Sequence, residues 1–62
     1  SDHWWQARFY ELDCAAHAEN MHKKDIVHSI EVLEAGSSYV PPLWAKKLKL
    51  LKQKCLADIS NN

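Results

Sequence analysis

Glycine is nearly missing from this chain: Gly36 is the only one in 62 residues, and the two prolines stand side by side at 41 and 42. One glycine cannot build the Gly-rich loop that cradles phosphates. No serine–histidine–acid pattern or carboxylate pair takes its place, so neither catalysis nor a cofactor is predicted. Cysteine is scarce too. Cys14 and Cys55 are too few for a disulfide scaffold and predict reduced thiols in an intracellular protein. No apolar run approaches the roughly 18 residues that would span a bilayer, and no signal peptide is visible, so no membrane association is predicted. Charge of one sign is also lacking. Eight basic residues balance eight acidic ones, whereas a dedicated nucleic-acid domain carries a basic excess.

What is present is apolar residues at 47% and charged residues at 26%, close to the globular average, which argues against disorder. A chain this short buries only about 60% of the surface its unfolded form exposes. Its core supplies no more than roughly 3–5 kcal/mol without staples or partners. The Ser-Asp start and the single methionine at position 21 predict a segment of a longer protein or a processed product.

Three helices and a linker are predicted, hence an all-α fold of a helical hairpin plus a third helix. From about residue 3 to 22 there is neither glycine nor proline, and Ser1 or Asp2 can cap the start. At about 100° per residue, Trp5, Phe9, Leu12 and Ala16 form one apolar stripe. Tyr10, Cys14, Ala18 and Met21 form a second on nearly the opposite side. A surface helix needs only one such stripe. The second helix is predicted over 26–35, with Asp25 as its cap and Gly36 in the left-handed position that ends it. Its β-branched run "DIVHSIEV" also suits a strand, but a lone strand would have no partner. Residues 36–41 form the linker. Val40 is pushed toward extended geometry by the proline after it, and Pro42 fits the first turn of a helix over 42–59. Trp44, Leu48, Leu51, Cys55 and Ile59 define that helix's stripe. Trp5, Phe9, Leu12, Ile26, Ile30, Leu33, Trp44, Leu48 and Leu51 are the predicted core.

The first and third helices echo each other. Trp5, Phe9, Leu12 and Ala16 read W-x3-F-x2-L-x3-A; Trp44, Leu48, Leu51 and Cys55 read W-x3-L-x2-L-x3-C, 39 residues later at every position. A period of this length, made of helix, turn, helix and linker, points to an α-solenoid, in which a helix touches neighbours on two sides. A self-contained three-helix bundle with both stripes internal is the other arrangement. "HWWQARFYEL" and "PLWAKKLKLL" resemble the first helices of tetratricopeptide and half-a-tetratricopeptide repeats, and "IVHSIEVLEAG" resembles a second helix. Where tetratricopeptides place leucine-glycine after the tryptophan, this chain has Gln6-Ala7-Arg8 and Lys46-Lys47. The resemblance implies stacked helical hairpins.

Two surfaces are candidates for function. The second stripe, with Tyr10, Cys14, Ala18 and Met21, together with Trp4, is predicted to bind a protein partner or a neighbouring repeat of a parent chain. Trp4 and Tyr10 would be its anchors, because aromatics carry much of the energy of interfaces. A homodimer through the same stripe is a third reading. Lys46, Lys47, Lys49 and Lys54 are candidate phosphate contacts if the third helix meets nucleic acid. The favoured reading makes them the solvated back of a core helix, their stems lying over apolar surface. Cys14 and His17, one turn apart, make half of a metal site, with no second pair to complete it.

Overall fold

The computed structural model describes residues 2–18 and 22–61. Three helices run in order: α1 from Asp2 to His17, α2 from Lys23 to Gly36 and α3 from Pro42 to Ser60. Among the described residues there is no strand, so the β-branched run of α2 is helical. Its Ile26, Val27 and Ile30 are all buried, and burial on a helix face overrides a modest propensity penalty.

The ends of the helices differ from the predicted ones in instructive ways. α1 stops at His17 rather than running to residue 22. His17 Nδ1 adds a second contact to the Asp13 carbonyl at 2.7 Å, and the last carbonyls find donors outside the regular helix pattern: the Lys23 ammonium donates to the Ala16 carbonyl and Ala18 N–H to Ala15 at 3.2 Å. These bonds satisfy C-terminal oxygens that an ending helix would leave orphaned. Asp2 is the first residue of α1, and the alternative cap Ser1 lies outside the described residues.

α2 begins three residues earlier than predicted, with His22 in extended geometry at its N-cap and no side-chain cap. Asp25 therefore sits inside the first turn. Its backbone N–H bonds the His22 carbonyl at 3.0 Å, and its carboxylate still lies at the favourable end of the helix dipole. Gly36 is not left-handed: it is the last helical residue, and the extended Ser37 ends the helix. α3 starts as predicted, with Pro42 as its first residue after an extended Pro41 that accepts the Ala45 N–H at 2.8 Å. It ends one residue beyond the predicted Ile59.

One core joins the three helices. Trp5, Leu12 and Ala16 enter it from α1, Ile26, Val27 and Ile30 from α2, and Trp44, Leu48, Leu51 and Cys55 from α3. Phe9, Leu33, Val40 and Ile59 close its margins. Ile30 is 0% exposed and Leu48 1%, and each such side chain contributes about 1.5–3 kcal/mol by leaving water. α2 shares its largest interface with α3, and α1 packs less extensively against both. The molecule measures 35 × 17 × 17 Å.

Candidate functional site

With the core filled by the inner stripes, the second stripe of α1 faces outward. Trp4 is 54% exposed and Tyr10 50%, and Cys14 is also exposed. Ala18 is half-buried, and Met21 lies outside the described residues. Both stripes are therefore not internal: α1 keeps an aromatic outer face in water. The Trp4 ring stands edge-on to Trp5 at 4.8 Å, and Tyr10 edge-on to Phe9 at 5.5 Å. Each exposed aromatic is thus braced by a more buried one. Beside Trp4, Ala7 and the ion-paired Arg8 and Glu11 line a shallow depression.

The lysines of α3 do not form one patch. Lys46 and Lys49 point out to solvent. Lys47 and Lys54 lie on the flank that meets α1, where the Lys47 ammonium sits 5.8 Å from the Phe9 ring centre and 5.9 Å from that of Trp44. An ammonium at that range is attracted to the ring face. Lys52, the fifth lysine of the helix, bonds Glu34 of α2 at 2.9 Å. The hydrogen bond it donates to the Glu34 carboxylate raises the Lys52 pKa.

Sequence reasoning missed a further set of exposed apolar side chains. Leu43 is 57% exposed and Leu50 55%, with Leu56, Val32 and Tyr39 also in water. Leu43 and Leu50 are seven residues apart on one flank of α3, about 120° from the Trp44 stripe on an ideal helix. That displacement was a readable signal. Leu50, Leu51 and Phe9, together with Asp13, Lys47 and Lys54, line an open groove of about 250 Å³ between α1 and α3.

The candidate thiol–imidazole pair does not become a site. Among the described residues no three histidine, cysteine or acidic side chains converge as metal ligands would. His17 instead turns toward Asp13, with Nδ1 3.8 Å from its carboxylate. Cys14 and Cys55 are both free, one exposed and the other buried. Burial pushes the Cys55 thiol pKa up, which keeps it protonated and unreactive. No helix among the described residues is long and apolar enough to cross a membrane. The two echoed tryptophans share the core but not their ring neighbours: Trp5 meets Trp4, whereas Trp44 tilts against Phe9 at 5.9 Å. The Trp44 indole N–H is buried with no acceptor among the described residues. Comparison with known proteins finds no family model, no curated protein and no solved structure that matches this chain.

Proposed function

We propose that this chain is a protein–protein interaction segment, non-catalytic, that docks a partner against the outer face of α1. The observation that carries this reading is the half-exposure of Trp4 and Tyr10 on a helix whose opposite side already fills the core. With about half of each ring still in water, each leaves roughly 80–130 Å² to bury, and a partner that covers it gains the corresponding hydrophobic energy. The partner is another protein or a neighbouring helical hairpin of a parent chain stacked on the same face; a second copy of this chain is the self-associating version. The free thiols support an intracellular, reducing setting. The zero net charge and the scatter of the α3 lysines weigh against nucleic acid.

Cys14 supplies the test, because it lies on this face and Cys55 is buried. A photo-crosslinker attached to Cys14 is expected to yield protein adducts in cells, and Trp4→Ser with Tyr10→Ser to abolish them without changing the helical content. Adducts to nucleic acid alone, or adducts indifferent to both substitutions, would overturn the reading.

A further inference from the structure

The groove between α1 and α3 has features the outer face of α1 lacks. Its lining is apolar at Phe9, Leu50 and Leu51, and around α3 Lys47 and Lys54 fall between the two leucines. Those two lysines are seven residues apart, two helical turns, or about 10.5 Å along the axis. Among the described residues neither has a carboxylate within ion-pair distance, whereas Lys23 and Lys52 of the same molecule do. Asp13 on the α1 side already faces His17. The groove's apolar surface extends beyond this lining: Leu43 lies two turns before Leu50 on the same flank, and the exposed Tyr10 ring abuts Phe9.

We propose that this groove receives an acidic amphipathic helix of a partner protein. The proposal rests on the protein-binding reading above and assigns to it a second, adjoining surface and a partner chemistry. Charge complementarity selects the acidic side chains: the two ammonium groups of Lys47 and Lys54 outnumber the single Asp13 carboxylate in the groove's lining, and carboxylates two turns apart on a partner helix would meet both. The walls select the helix. Both are α-helices whose backbone groups are bonded internally, so the groove offers no sheet edge to an extended segment. A segment entering it must satisfy its own backbone N–H and C=O groups, which a helix does. Its apolar residues then pack on Phe9 and Leu50 while its acidic residues reach Lys47 and Lys54.

The test is an NMR titration of the full chain with a synthetic 18-residue amphipathic peptide carrying a leucine stripe and glutamates on its flanks. Three controls accompany it: the same peptide with glutamine for glutamate, the same with lysine, and a single-stranded oligonucleotide. The glutamate peptide is expected to perturb the amides around Phe9, Lys47, Leu50 and Lys54. Lys47→Glu with Lys54→Glu is expected to weaken it by about two- to thirtyfold, as for two exposed ion pairs, and to gain the lysine peptide in exchange. Leu50→Ser, at an exposed position, should weaken every peptide with the circular dichroism unchanged. Equal affinity for the glutamate and glutamine peptides overturns the acidic partner and leaves the protein-binding reading standing. Binding that maps to Trp4 and Ala7 and leaves Leu50 and Lys54 unperturbed overturns the groove alone. Oligonucleotide binding at Lys47 and Lys54 with no response to any peptide, or no response to any probe, overturns the groove proposal, while the Cys14 crosslink separately decides the reading it rests on.

Discussion

α1 and α3 carry the same inner series and turn different backs to water. Along α1, Trp5, Leu12 and Ala16 are buried while Trp4, Tyr10 and Cys14 face out; along α3, Trp44, Leu48, Leu51 and Cys55 are buried while Lys46 and Lys49 face out. Where α3 has Leu48, 1% exposed, α1 has Phe9, only partly buried. α3 is thus the anchored helix, sharing the largest interface with α2, and α1 is the less enclosed one, exposing aromatic rings where α3 exposes leucines and lysines. The difference teaches that matching inner stripes specify how helices enter a core but not what they offer outside it.

The largest test of that contrast is truncation at the paired positions. Leu48→Ala is expected to lower the unfolding free energy by about 2–5 kcal/mol, enough to leave so small a domain largely unfolded. Phe9→Ala should remove clearly less, because its ring is already partly in water. Urea denaturation of both variants measures the gap, and equal losses would erase the distinction between the helices.

The two thiols sharpen it chemically. Cys14 should react with a disulfide reagent at the rate of a free thiol. Cys55 should react about a hundredfold more slowly if access requires opening the core at a cost of roughly 3 kcal/mol. Because burial raises the Cys55 pKa above its ordinary 9.0, the folded chain holds that proton more tightly than the unfolded chain. The associated stability is complete below that pH and is lost as pH rises through and beyond it. Lys52, raised above 10.5 by its bond to Glu34, acts in the same direction at higher pH. Thermal melts across this range should therefore show stability falling with alkalinity.

The tryptophans separate the helices more finely. Trp44→Phe removes a buried donor that lacks an acceptor, a group whose burial costs about 1–3 kcal/mol. It should destabilise less than Trp5→Phe, and the reverse order in parallel melts would mean that the indole N–H of Trp44 is satisfied in solution.

A smaller effect is expected outside either stripe. Gly36→Ala should stabilise the chain by about 0.4–1 kcal/mol, since its φ is negative, it is helical and nothing lies within 4 Å of the added Cβ. A destabilised variant would restore the left-handed cap that the sequence suggested.

Much of the fold was legible because it follows from local periodicity. The 3.6-residue repeat of Trp5, Leu12 and Ala16, of Ile26 and Ile30, and of Trp44, Leu48 and Leu51 is enough to place three helices and one core. Pro42 marks the start of α3 by its fixed φ and missing donor. The site was less legible. The outer face of α1 could be read as apolar, but a stripe of Tyr10, Cys14 and Ala18 looks the same in sequence whether a third layer covers it or water does. The lysines were harder still. Lys52 is 18 residues from Glu34, and Lys47 meets Phe9 of another helix, so neither commitment can be read from spacing along α3.

Amphipathic spacing, the shortage of glycine and the paired prolines together commit this chain to three helices, because those signals act between residues a turn or two apart. The end of α1 at His17, the partners of Lys23, Lys47 and Lys52, and the groove beside Leu50 arise only once distant segments meet. They depend on how helices are rotated and set against one another. That arrangement is settled by the joint packing of all the side chains, a non-local quantity that no single stretch of sequence encodes.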